Sequence, residues 1–288
     1  MKHGRIIKLI GGLYTVLTEQ NERLEVKPRG LFRHHEVSPK VGDLVTVEKT
    51  VITEVQPRKN VLERPPIANV DQAILIHAAR KPEFSFNLLD RFLVRISMAN
   101  IEPVIIVTKT DLLEPTELIN LKEKLAYYAQ YYEIHYTSVH DPTSLQVMQG
   151  LLEDKVSVFA GQTGAGKSSL LNALDIRLAL EVGEISKALG RGRHTTRHVE
   201  LLEVYGGLTA DTPGFSKLDF ADLDIEDLAQ HYPDFFALSH ECRFRGCKHL
   251  NEPRCAVKAQ LEAGNILRER YDNYLLFHEE IRQQKKKY

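Results

Sequence analysis

The chain changes its hydrophobic rhythm twice. From Arg5 to about Val55, apolar and polar residues alternate in short stretches (LYTVL, RLEV, DLVTVEKTVITEV). Gly11-Gly12, the Pro28-to-Gly30 turn and Gly42-Asp43 separate them. Period-two alternation with such breaks predicts a small antiparallel β unit. About five short strands suit an OB-like β-barrel, and an SH3-like barrel fits the same pattern nearly as well. The segment QPRKNVLERPP, residues 56–66, reads as a linker.

After this segment, all-apolar runs alternate with helical stretches. AILIHA (73–78) is followed by a helix near 85–100, and PVIIV (103–107) by one near 115–130. EIHYTS (133–138) precedes a helix near 143–152, and VSVFA (156–160) precedes one that begins at Lys167. Strands buried on both faces and joined by helices predict a parallel α/β sheet. From about residue 222 the pattern is helical around a cysteine cluster, ending in the long amphipathic RERYDNYLLFHEEIRQQ. The expected units are therefore a barrel with its linker (1–66), an α/β domain (67–221) and a mostly helical module (222–288).

At 288 residues and 43% hydrophobic content, the chain is long and apolar enough for more than one core. No apolar stretch could span a bilayer, and the opening MKHGRIIKLIGGLY breaks into glycines before it could serve as a signal-peptide core. A cytoplasmic protein with no membrane partner is expected. The net charge of −1 hides a mildly basic barrel, which permits nucleic-acid contact without requiring it.

GQTGAGKS, Gly161 to Ser168, has the G-x-x-x-x-G-K-[ST] spacing between a strand and a helix. Gly161, Gly164 and Gly166 let the backbone N–H groups of Gln162, Thr163, Ala165 and their neighbours face phosphate oxygens beside the positive end of a helix. Lys167 suits the terminal phosphates, Ser168 a Mg²⁺ ion, and Ser169 lies in the same first turn. At the end of PVIIV stands TKTD, Thr108 to Asp111, with Lys109 inside it. The Asp111 carboxylate can accept the two hydrogen bonds that guanine offers and adenine does not. Thr137 and Ser138, at the end of the next strand, supply a further backbone contact to the base. DTPG offers Asp211 to the Mg²⁺ shell and the Gly214 N–H to a terminal phosphate. GRGRHTTRH, residues 190–198, lies between these phosphate motifs and reads as a mobile switch.

Cys242, Cys247, His249 and Cys255 form C-x₄-C-x-H-x₅-C, a donor set that suits a closed structural Zn²⁺ site. His240 is a rival ligand. An odd number of cysteines, all three within fourteen residues, makes a disulfide framework the poorer reading.

Together these elements resemble the signature motifs of GTPases, with base recognition ahead of phosphate binding, a circular permutation. The whole chain resembles the circularly permuted GTPases that serve bacterial ribosome biogenesis in dependence on the small ribosomal subunit. Its most specific parts are GRHTT immediately before a strand and the cysteine-histidine cluster after DTPG. Thr108 stands where asparagine is commoner, and Val139 where alanine is usual. The resemblance implies a monomer that hydrolyses GTP to GDP and phosphate with Mg²⁺, stimulated by the small subunit and its rRNA during late maturation. In that scheme Thr196, or Thr195, completes the metal shell. Phe215 occupies the position where many GTPases carry a water-orienting glutamine, so His194 is the candidate to take that role, with an RNA-contacting or solvent-facing histidine as the alternative. Lys187, Arg191, Arg193 and Arg197 are candidates for rRNA phosphate contact. Two rival functions are an RNA-binding scaffold in which hydrolysis is incidental, and a kinase or ATPase on the same loop.

Overall fold

The computed structural model describes residues 1–30, 38–63, 66–138, 140–174, 199–210, 215 and 218–285. The first five strands are β1 (Lys2–Ile10), β2 (Leu13–Thr18), β3 (Arg23–Pro28), β4 (Leu44–Glu48) and β5 (Val51–Val55). They pair in the order β1-β2-β3-β5-β4, and β4 pairs back to β1, so the sheet closes. The parallel β3–β5 pair and the β1–β4 closure favour the OB-like reading over the SH3-like one. Alternation in β2 puts Tyr14, Val16 and Thr18 inside, where Ile6, Val26, Val45, Val47 and Ile52 complete the core.

The segment expected to be a linker is fastened to its neighbours. It contains β6 (Val61–Glu63), which pairs antiparallel with β7 (Pro66–Ala68), and the Ala68 N–H donates to the Val41 carbonyl at 2.8 Å. Gly42 makes this approach possible. Its φ is +92°, and a Cβ there would sit 1.9 Å from the Ala68 oxygen. The Asn60 amide donates to Val70 and Asn100 carbonyls at 2.8 and 2.9 Å, which ties the segment to the next domain. Arginine, lysine and proline made it look solvated, but proline is tolerated at the first residue of a short edge strand.

The second sheet runs β10-β9-β8-β11-β14-β13. Its strands are β8 (Gln72–Ala78), β9 (Glu102–Thr108), β10 (Glu133–Tyr136), β11 (Val156–Gly161), β13 (Leu202–Val204) and β14 (Gly207–Ala210). The first five in spatial order are parallel, and β13 is an antiparallel edge. Every residue of β8 is buried, as a central strand covered on both faces requires. One face receives α1 (Phe86–Met98) and α2 (Pro115–Tyr128) through Leu89, Phe92, Leu93, Leu125 and Tyr128. The other receives α3 (Pro142–Leu152) and α4 (Lys167–Leu174) through Met148, Leu152, Leu170 and Leu171. Helix starts are set locally. The Ser85 hydroxyl caps α1 by accepting from Leu88 N–H, Glu114 and Glu117 form a capping box on α2, and Asp141 caps α3.

The C-terminal part comprises α5 (Pro233–Ser239), α6 (Ala256–Glu262) and α7 (Arg268–Lys285), with its own core of Phe220, Tyr232, Phe235, Tyr274 and Phe277, against which Val94 of α1 packs. A buried ionic cluster joins it to the α/β domain. Arg270 of α7 forks onto Asp234 at 2.7 and 3.0 Å and also bonds Asp90 of α1. Tyr127 and Tyr128 of α2 donate to Asp234 and Asp90 at 2.6 and 3.0 Å. Among the described residues, no helix is long and apolar enough to cross a membrane.

Candidate functional site

Because β8, β9 and β11 are parallel, their C-terminal ends meet at one edge of the sheet, where α/β domains bind ligands. A cleft of about 590 Å³ opens there. Gly161, Gln162, Thr163, Gly164, Gly166, Lys167, Ser168 and Ser169 line it, with Lys109 beside them and Phe92, Phe159, Phe215 and Leu218 as an apolar wall. Ala165 is buried beneath the loop.

The loop is wound by glycine. Gly161, Gly164 and Gly166 have φ of +142°, +82° and +90°, and a Cβ on Gly161 would lie 2.3 Å from the Ile76 carbonyl oxygen of the neighbouring strand. The loop then passes directly into α4 at Lys167, so the N-terminal end of that helix, with its positive dipole end, borders the cleft. This arrangement accepts anionic oxygen.

TKTD is tied to the same loop. Thr108 is buried, and its hydroxyl donates to the Ala165 carbonyl. Lys109, in the left-handed conformation, sends its ammonium group to the Gly164 carbonyl at 2.6 Å and to the Lys81 carbonyl. A threonine in place of asparagine thus still bonds the loop's backbone. Asp111 is exposed in the short 3₁₀ turn Thr110–Leu112, outside the lining of the cleft. Thr110 bonds the Thr137 carbonyl through its hydroxyl at 3.2 Å, which brings the buried Thr137 and Ser138 alongside TKTD. The structure therefore gathers Thr108, Lys109, Asp111, Thr137 and Ser138 on the edge that carries the phosphate loop. Lys187, Arg191, Arg193, His194, Thr195, Thr196, Arg197, Asp211, Gly214 and Val139 lie outside the described residues.

The second site is the cysteine-histidine cluster. One donor atom from each of Cys242, Cys247, His249 and Cys255 falls within 4.8 Å of all the others. His249 Nδ1 lies 3.3 Å from Cys255 Sγ and 3.7 Å from Cys242 Sγ. His240, the rival ligand, is outside the cluster and packs against Phe236 instead. Tyr271 and Tyr274 of α7 donate to the His249 and Lys248 carbonyls at 2.6 and 2.7 Å, and Glu252 accepts from the Lys248 and Leu250 N–H groups. Burial pushes the Cys247 thiol up to about 12 and raises Cys255, while it lowers His249. Without a cation, Cys247 and Cys255 thus favour the neutral thiol. A dication reverses this by stabilising thiolates, and three sulfurs with one imidazole suit four-coordinate zinc. Replacing Cys255 with serine is expected to abolish stoichiometric zinc and to lower the unfolding midpoint by roughly 10 °C, measured by metal analysis and calorimetry. A variant that keeps its zinc and its midpoint would argue against a structural metal here.

A glycine-wound phosphate loop at the edge of a parallel sheet, bonded to the TKTD motif that precedes it in sequence, has the arrangement of a P-loop GTPase of permuted order. Residues 55–221 match the RsgA GTPase family, and residues 3–54 match the RsgA N-terminal domain. The chain belongs to the RsgA GTPase family. It is 48% identical over 294 residues to the small ribosomal subunit biogenesis GTPase RsgA 2 of Oceanobacillus iheyensis, with all of both chains covered. It is 45% identical over 300 residues to the small ribosomal subunit biogenesis GTPase RsgA of Bacillus subtilis, again with full coverage of both. Among solved structures, the circularly permuted GTPase YloQ matches with a TM-score of 0.86 at 40% identity, over 99% of this chain and 96% of that one. YjeQ from Thermotoga maritima matches with a TM-score of 0.85 at 34% identity, over 97% of this chain and 98% of that one. The chain is accordingly a GTP-hydrolysing enzyme that uses GTP, GDP and Mg²⁺, with a cysteine-histidine cluster compatible with zinc.

Proposed function

We propose that this enzyme is a switch in late maturation of the small ribosomal subunit, and that binding to the subunit and its rRNA stimulates its hydrolysis of GTP to GDP and phosphate. The observation that carries the nucleotide half of this reading is the bonding of Thr108 and Lys109 to the backbone of the phosphate loop, which brings base and phosphate recognition together. The ribosomal half rests on relatives matched over their full length that are named small ribosomal subunit biogenesis GTPases.

In this reading the residues divide their work as follows. Asp111 accepts from guanine, with Thr137 and Ser138 against the base. Gly161 to Gly166 wrap the phosphates, and Lys167 neutralises their charge. Ser168, Thr196 and Asp211 hold Mg²⁺, and Gly214 senses the terminal phosphate. The three working units are residues 1–66, 67–221 and 222–288, acting as a cytoplasmic monomer.

Phe215 is buried, and its ring cannot orient water. We assign that role to His194, whose imidazole would hydrogen-bond the attacking water once the subunit orders the switch. Purified small subunits are expected to raise GTP turnover by at least tenfold. His194→Ala is expected to remove most of that gain while GDP affinity stays unchanged. Turnover indifferent to small subunits would refute the ribosomal reading. Full stimulation of the variant would refute only the role of His194.

A further inference from the structure

Helix α1 serves two neighbours at once. Leu89, Phe92 and Leu93 pack on the sheet, and Phe92 also lines the cleft beside the phosphate loop. Asn87, Asp90, Arg91 and Val94, at the three- and four-residue spacing of one helix face, meet the C-terminal module instead.

Arg91 stands where these surroundings join. Its guanidinium forks onto Glu280 of α7 at 3.0 and 2.7 Å. The Nη1 group of that fork also donates to the Leu218 carbonyl at 3.1 Å. The rings of Phe220 and Phe277 lie with their centres 5.0 and 4.5 Å from the guanidinium carbon. Leu218 lines the cleft, whereas Phe220 is fully buried in the C-terminal core. Between these two residues the chain leaves the cleft wall and enters the module, and one arginine holds both ends of that step.

We propose that Arg91 is a positioning residue of the nucleotide cleft, and that Glu280 acts through it. The fork fixes the guanidinium, and the guanidinium fixes the Leu218 backbone. Leu218 and Phe92 then hold the apolar side of the cleft that Lys167 and Ser168 share. A wall held in place keeps bulk water from the phosphates, whose charge is neutralised more strongly in a low dielectric. The position of α7 is thereby felt at the nucleotide. The inference rests on the reading that this cleft holds the nucleotide phosphates.

The test is release of a fluorescent GDP analogue and single-turnover GTP hydrolysis by the full-length protein, well below the unfolding midpoint of every variant. Arg91→Ala is expected to speed GDP release about three- to tenfold and to slow single-turnover hydrolysis about two- to fivefold, the scale of one lost hydrogen bond. Glu280→Ala, a change at a side chain 29% exposed, is expected to act in the same direction. The double variant should match Arg91→Ala alone, because Glu280 works through Arg91. Asn87 donates to Asn273 of α7 at 2.9 Å, a second bond between the same helices that does not reach Leu218, so Asn87→Ala is expected to keep both parental rates. Parental rates in Glu280→Ala overturn the inference even where Arg91→Ala does not fold. An additive double variant overturns it too, as does an Asn87→Ala effect as large as that of Glu280→Ala. Lys167→Ala is assayed in parallel. Undiminished GDP binding there refutes the placement of the phosphates in this cleft, whereas lost binding beside parental rates in the Arg91 and Glu280 variants refutes only the role of Arg91.

Discussion

Arg270→Met is expected to destabilise the protein by about 3–5 kcal/mol, because it leaves two buried carboxylates facing each other without a counter-charge. Arg270 is 1% exposed, and Asp90 and Asp234 are as deeply buried. The guanidinium forks onto Asp234, reaches Asp90 and lies 5.0 and 4.7 Å from the ring centres of Tyr128 and Tyr232. Lysine should not substitute, since one ammonium group cannot reproduce a planar fork that bonds two carboxylates. The loss should depend on pH in a definite sense. Burial raises the Asp90 carboxyl to about 6 even though Arg270 pulls it down. A folded-state value above the unfolded one near 3.9 means that the folded protein holds the extra proton between about pH 4 and 6. This group's contribution is therefore greatest below pH 4 and is lost as pH rises through 6. Removing Arg270 raises Asp90 further and widens that window. The deficit of Arg270→Met relative to the parent should shrink at pH 5 and grow at pH 8, as read from paired thermal unfolding curves. An equal deficit at both values would show that packing, and not uncompensated charge, carries the effect.

The ion cluster also marks how far the sequence could be read. Strands β8, β9 and β11 were legible because central parallel strands are apolar throughout. The phosphate loop was legible because its chemistry is local: three glycines, a lysine and a hydroxyl within eight residues. The clustering of Cys242, Cys247, His249 and Cys255 was legible for the same reason. Arg270, Asp90 and Asp234 were not, because nothing in a helical stretch rich in charge says which arginine will be buried, and its partners lie 180 and 36 residues away. The two-residue strand β12 (Val199–Glu200), which pairs with β1, was equally silent. It is too short to show a period, and its partner strand lies about 190 residues upstream. Residues 56–66 misled in the opposite direction, since their charge and prolines suit a tether while their backbone is pinned by Asn60 and Gly42. Local chemistry was readable, and long-range pairing was not.

That contrast bears on Asp111, the one proposed base contact that rests on chemistry more than on enclosure. Asp111→Asn is expected to weaken GTP binding by about 10²- to 10⁴-fold and to create affinity for xanthosine triphosphate. The carboxylate offers two acceptors, which match the ring N–H and the exocyclic amino group of guanine. An amide offers one acceptor and one donor, so its NH₂ would confront the guanine amino group with two donors and no acceptor. Xanthine replaces that amino group with a carbonyl, and the asparagine N–H then has an acceptor while its oxygen still takes the ring N–H. The phosphate half of the site is untouched, because the loop is held by Thr108 and Lys109 and not by Asp111. The switch should therefore appear in nucleotide affinity, with turnover at saturating xanthosine triphosphate close to that of the parent with GTP. Competition against labelled GDP reads the first quantity and phosphate release the second. If the variant keeps the parent's affinity for GTP and gains none for xanthosine triphosphate, Asp111 does not read the base, and guanine selection must lie elsewhere on that edge of the sheet.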